Sequence, residues 1–160
     1  MTSGRLTTCL WFDGRAEEAA DFYLSVFEDS SRGSTLRHTD ASPGEEGTVL
    51  TVEFTLNGQR FLGLNGGPQF PFTEAVSFQI DCADQTEVDY YWSRLTSGGG
   101  EEGQCGWLKD RFGVSWQVVP NIMPTLLTAS DRAKADRAMA AMMKMRKLDI
   151  ATLQAAFDGA

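Results

Sequence analysis

The chain has 160 residues and a mass of 17.6 kDa, with 42% hydrophobic and 22% charged residues, which fits one globular domain of ordinary size and excludes two large catalytic domains. The formal net charge is -8, and it is unevenly spread: residues 1–120 carry 8 basic and 18 acidic groups, residues 121–160 carry 6 basic and 4 acidic. So acidic a body repels polyanions, and no apolar run approaches the roughly 18 residues of a membrane span, so neither nucleic acid nor a membrane is expected as a partner.

Leu6 to Phe12 alternate as a half-buried strand does, and Asp13-Gly14 breaks the pattern. Ala16, Ala19, Ala20, Tyr23, Val26 and Phe27 then recur at helical spacing, with Glu17 and Glu18 in the first turn, where the helix dipole favours acids. The polar stretch from Arg32 to Glu46 predicts one exposed strand and a loop. Thr48 to Leu56 and Gln59 to Leu64 predict two strands joined by Asn57-Gly58, since both residues tolerate the positive φ of a tight hairpin.

After Gly66-Gly67-Pro68 the same order returns. Ala75 to Cys82 reads as a strand and Asp84 to Leu95 as a helix, with Asp84 and Glu87 spaced as a capping box and Gly98-Gly99-Gly100 as its stop. Strands at Gln104 to Lys109 and Val114 to Pro120 turn through Asp110-Arg111-Phe112-Gly113. A strand–helix–strands unit is thus written twice, as two modules sharing a core would be. The tail differs: Ser130 to Leu148 is rich in helix formers, and Asp149 is placed to cap a second helix carrying Ile150, Leu153 and Phe157. Its methionines read as a packing face.

Cys9, Cys82 and Cys105 form an odd set with no close pairing, which argues against a disulfide framework or a CxxC motif. His38 is the single histidine, so no site can draw two imidazoles from one chain. No secretory leader pattern opens the sequence, and a cytoplasmic location is the expectation.

Three stretches resemble one known family. CLWFDGRAEEAADFYLSVF, FLGLNGGPQFPFTEAVSFQIDCADQTEVDYYWSRL and CGWLKDRFGVSWQVVP are similar to the PhnB-like branch of the vicinal oxygen chelate superfamily, which includes glyoxalase I, extradiol dioxygenases and bleomycin-resistance proteins. The resemblance spans roughly residues 5–150, with the MMKMRKLDI tail included. It implies an α+β fold in which two βαβββ modules, about 5–66 and 74–120, form a curled mixed sheet around a small-molecule site within a 1–120 domain. A 121–160 helical extension would cover its own or a partner subunit, and a homodimer is expected. The branch often carries a demethylubiquinone methyltransferase label, but Gly98-Gly99-Gly100 follows a helix, whereas a nucleotide-type seat needs a Gly-rich turn after a parallel strand.

The superfamily's metal sites draw one ligand from each of four strands, and the resemblance places those positions at Thr7, Gly63, Ser77 and Gln117, none of them a good divalent-metal ligand. No metal and no cofactor are therefore expected. Strand alternation predicts Leu62, Leu64 and the other even positions against the helices, and a mixed odd set toward a cleft. The ligand-pocket candidates are Thr7, Cys9, Trp11, Glu53, Gly63, Asn65, Ser77, Gln79, Trp107, Lys109 and Gln117. Two readings follow: a metal-independent small-molecule-binding protein, or an enzyme (lyase, isomerase or transferase) acting on a small polar metabolite, its catalytic residues unassigned.

Overall fold

The computed structural model describes residues 4–160, so the first three residues of the expected 1–120 domain lie outside the described residues. The chain divides after Phe72 into two compact units, each with its own four-stranded mixed sheet. The α+β class and the doubled strand–helix–strands order are both present. No helix among the described residues is long and apolar enough to cross a membrane.

In the first unit β1 (Thr8–Phe12), α1 (Ala16–Val26), β2 (Ser30–Arg37), β3 (Val49–Leu56) and β4 (Gln59–Asn65) build a sheet in the order β1-β4-β3-β2, with β1 and β4 parallel. Helix α1 buries Ala16, Ala19, Ala20, Tyr23 and Val26, and Val52, Phe54 and Phe61 are buried on the sheet. The Phe54 and Phe61 rings stack 5.3 Å apart, a pairing that adds to their area burial. Asn57 at φ 46° and Gly58 at φ 78° turn β3 into β4, the two positive φ values that match a hairpin to strand twist.

The second unit contains β5 (Ser77–Cys82), α2 (Gln85–Thr96), β6 (Glu101–Glu102), β7 (Trp107–Lys109) and β8 (Ser115–Pro120), in the order β5-β8-β7-β6 with β5 and β8 parallel. Asp84 caps α2 by accepting from Glu87 N at 3.0 Å, while Glu87 reaches back to accept from Ala83 N at 2.7 Å. These bonds satisfy donors a helix start would otherwise leave unpaired. Helices α3 (Met123–Leu127), α4 (Arg132–Met142) and α5 (Ile150–Asp158) follow. They enclose a cluster of Met123, Leu126, Ala138, Leu148 and Leu153, against which Val119 packs.

Four features differ from the sequence reading, the first being the two-residue strand β6 at Glu101–Glu102, which has no counterpart in it. The strand expected from Gln104 begins at Trp107, because Cys105 and Gly106 adopt φ 56° and 84° and give their N–H groups to Met145 O and Arg146 O, both at 2.8 Å. The helix expected to Leu148 stops at Met142, which frees those carbonyls to accept. Helix α3 has no counterpart in the expected elements; Pro124 stands in its first turn, where a missing N–H costs nothing.

Candidate functional site

Strand pairing decides which side chains share a face. Across the first unit, Cys9, Leu62 and Glu53 form one row on the face away from α1, and Trp11, Leu64 and Thr51 the next. This corrects the alternation expected for β4: Leu62 and Leu64 lie on the open face, while Gly63 and Asn65 lie with Leu10 and Phe12 on the helix face. The reason is packing. A Cβ at Gly63 would stand 3.2 Å from Ala16 Cβ and 3.1 Å from Val52 Cγ1, so this site needs the smallest residue for α1 to approach. Asn65 caps that helix instead of facing a ligand: its Oδ1 accepts from Ala16 N at 2.9 Å, and its Nδ2 donates to Val49 O at 2.9 Å.

Other first-unit candidates are committed locally. Thr7 is exposed, just ahead of β1. Trp11 donates from Nε1 to Gly67 O at 2.8 Å and meets Phe70 edge-on, which ties the 66–70 segment over its indole. Glu53 Oε2 accepts from Ser34 Oγ at 2.8 Å. Partial burial raises the pKa of Cys9, disfavouring the thiolate a nucleophile needs. His38 is half-buried in the loop after β2, its Nδ1 3.0 Å from Ser42 Oγ.

The second unit gathers more polar chemistry. Ser77, Ser115, Lys109 and Glu101 lie in one row across all four strands, and Gln79, Gln117 and Trp107 in the next. Gln117 Nε2 donates to Ser77 Oγ at 2.9 Å, so these two side chains satisfy each other. Gln79 Nε2 donates to Asp81 Oδ1 at 2.7 Å. Lys109 Nζ lies 2.5 Å from Glu74 Oε1 rather than pairing with Asp110. That contact lowers the pKa of Glu74 and raises that of Lys109, each held charged by the other. Cys82 has the opposite fate on the helix face: burial, followed by the charges of Glu87, Asp81 and Asp84, pushes its thiol up to about 12, and it is chemically inert at neutral pH.

Beside β7 lies a hollow of about 150 Å³ bounded by Glu74, Glu101, Trp107, Lys109 and Ser115. Ser115 was not among the sequence candidates, yet it is 2% exposed and its Oγ is the one buried side-chain polar atom without a hydrogen-bond partner among the described residues. Alternation puts a serine on this face; that its neighbours leave it unpaired could be known only from the packing. Gly103 also borders the hollow, and a Cβ there would strike Trp107 O at 2.7 Å. Among the described residues, no three His, Cys, Asp or Glu side chains are gathered as a metal ion would require.

The family model described as 3-demethylubiquinone-9 3-methyltransferase matches residues 4–119. No functionally curated protein matches the chain. A solved structure of a PhnB protein from Bacillus cereus, labelled with the same methyltransferase activity, is 37% identical over 73% of this chain and 99% of its own, with a TM-score of 0.66. A protein of Pseudomonas aeruginosa shares the fold at 20% identity, covering 74% of this chain and 98% of its own, with a TM-score of 0.60. The fosfomycin resistance protein FosX of Listeria monocytogenes shares it at 18% identity, over 75% and 93%, with a TM-score of 0.53; another of its structures holds Mn(II) and a dihydroxypropylphosphonic acid.

Proposed function

The chain belongs to the PhnB-like family that carries the 3-demethylubiquinone-9 3-methyltransferase description, within the vicinal oxygen chelate superfamily, and on that premise we propose that it is a small-molecule-binding protein whose ligand is held without a metal on the open face of the second unit. The observation that carries this reading is the unpartnered Ser115 Oγ beside an indole and an ion pair. A buried hydroxyl left unpaired costs about 1 to 3 kcal/mol, a cost that a structure selected for stability alone would avoid.

Metal independence is supported by the donor set. Of the four positions the superfamily resemblance would use, Gly63 has no side chain and lies toward α1, Thr7 is a lone hydroxyl, and Ser77 and Gln117 bond each other. Such neutral donors do not fit a divalent ion. The open-face alternatives on β4, Leu62 and Leu64, offer no ligating atoms at all. Methyl transfer is disfavoured on similar grounds. Gly98 and Gly99, at φ 67° and 108°, close the C-terminal end of α2, where carbonyl oxygens and the negative end of the dipole project. An anionic cofactor group is better held at the opposite end of a helix.

The test is a thermal-shift screen of small metabolites on the purified protein, with and without Mn(II), followed by turnover assays on every hit. Stabilisation that neither needs the ion nor leads to turnover is the expected result; hits that appear only with stoichiometric Mn(II) refute metal independence. In the same assay Ser115→Ala raises the stability of the free protein by about 1 to 2 kcal/mol, because an unsatisfied buried hydroxyl is removed. A destabilised Ser115→Ala protein would show that the hydroxyl is already satisfied.

A homodimer is part of the proposal. Leu36, Phe70, Val76 and Met143 are more than half exposed, and a partner surface would cover such side chains. Sedimentation velocity at micromolar concentration is expected to give about twice the 17.6 kDa chain mass; a monomer boundary counts against it.

A further inference from the structure

The tail methionines divide into two sets. Met123, Met142 and Met145 pack into the cluster around Leu148 and Leu153, as a stripe of adaptable apolar side chains is expected to do. Met139 and Met143 do not, and are 41% and 60% exposed. They stand one turn apart at the end of α4, with Met143 N donating to Met139 O at 3.0 Å, and side chains at this spacing lie one above the other. Cys105, half-buried and in no disulfide, brings its Sγ to 3.7 Å from Met143 Sδ. Backbone holds the approach: Cys105 N and Gly106 N donate to Met145 O and Arg146 O, both at 2.8 Å. A thiol and a thioether from segments 38 residues apart thus meet near the surface, one helical turn from a second thioether.

We propose that Cys105 and Met143, with Met139 as a third ligand, bind one soft monovalent metal ion, copper(I). This site is separate from the proposed ligand seat, because Cys105 lies in the turn ahead of β7 and both methionines belong to the end of α4. The separation of the two sulfurs fits one ion. Sulfurs 3.7 Å apart can both stand at roughly the 2.3 Å of a metal–thiolate bond, subtending about 107° at the ion, near the tetrahedral value. Copper(I) replaces the weak S–H···S contact, and the thiol proton leaves to solvent as the metal–thiolate bond forms. Donor type then selects the metal. Thiolate and thioether sulfurs are soft and favour copper(I), whereas zinc is held by thiolate, imidazole and carboxylate, and magnesium and calcium by oxygen. Charge agrees: one thiolate with neutral thioethers balances a monovalent ion and leaves a divalent one uncompensated. A dimer partner covering Met143 would exclude water from the ion and leave both sulfurs in place.

The experiment is an anaerobic competition for copper(I) between the full-length protein and a coloured chelator, with ascorbate as reductant. The expected result is one ion per chain, with sulfur alone as ligand atoms in the copper X-ray absorption spectrum. Cys105→Ser abolishes binding. Met143→Leu, a substitution of similar volume at an exposed position, weakens it at least about tenfold, the scale on which even an outer partner of a metal site acts. Met139→Leu weakens it by a smaller factor. Cys9→Ser, which removes the other thiol near the surface, binds at full strength. Wild-type affinity in Met143→Leu would mean that the thiol acts alone and that the sulfur contact is packing only, which overturns the site. Loss of the ion in Cys9→Ser, or one ion for every two chains, overturns it as well. Wild-type affinity in Met139→Leu removes the third ligand, and displacement of copper(I) by equimolar zinc refutes the selectivity.

Discussion

Asp110→Ala is expected to cost about 3 to 5 kcal/mol in urea-induced unfolding, the largest single-residue effect in the second unit. Asp110 begins the turn that leaves β7 and is 3% exposed, a burial a carboxylate tolerates only when its oxygens are filled. Oδ1 accepts from Phe112 N at 2.8 Å and Val114 N at 3.1 Å, and Oδ2 accepts from Trp116 Nε1 at 2.9 Å. Alanine strands three donors at once, one of them on a buried indole. Asn at this position keeps one accepting oxygen and turns an NH₂ toward the donors of the other, so Asp110→Asn should lose an intermediate amount, about 1 to 3 kcal/mol. The consequence extends to the site, because Lys109 and Ser115 flank this turn in register across β7 and β8. A midpoint for Asp110→Ala that matches wild type would mean that the network contributes no net stability.

Leu148→Ala should lose about 2 to 5 kcal/mol by the same measurement. The side chain is 1% exposed among Met123, Leu126, Ala138 and Leu153, and its Cδ1 lies 3.0 Å from where a Cβ on Gly106 would stand. Truncation removes three heavy atoms from a close-packed interior and leaves a void that helices joined by short turns cannot close. Leu148 O also accepts from Gln85 Nε2 at 3.2 Å, while Gln85 Oε1 accepts from Ile150 N at 2.9 Å, so the start of α5 is pinned to the start of α2 on both sides of Asp149. Amide exchange in α5 should therefore accelerate in the variant. Unchanged protection of 150–158 together with a wild-type midpoint would show that the cluster does not hold the tail.

Local chemistry makes several features legible from the residues alone. Asn57-Gly58 forms its hairpin because few other pairs accept two positive φ values, and Asp84 and Asp149 cap the helices they precede by accepting from Glu87 N and Thr152 N. The buried alanines of α1 follow from their spacing. Alternation in β5 and β8 is equally clear, since Ile80, Cys82, Trp116 and Val118 contrast with Ser77, Gln79 and Gln117.

The face of β4 departs from the alternation for a physical reason. Phe61, Leu62 and Leu64 are apolar at both parities, so burial drives either registration equally and hydrophobic pattern alone cannot choose a face. Helix α1 makes the choice, because it needs Gly63 beneath Ala16 and Asn65 at its first turn, where Arg15 provides no side-chain cap. Gly63 and Asn65 leave the set of ligand-facing residues together.

What the sequence determined by itself is the α+β class, the doubled unit, the helix caps and an acidic body, because each depends on neighbours within a few residues or on summed charge. Tertiary structure alone decided that Ser115 is buried without a partner and that Lys109 answers Glu74. Those facts depend on which atoms meet across strands and segments distant in the chain, and hydrogen-bond satisfaction is a property of the packed neighbourhood, not of any one residue.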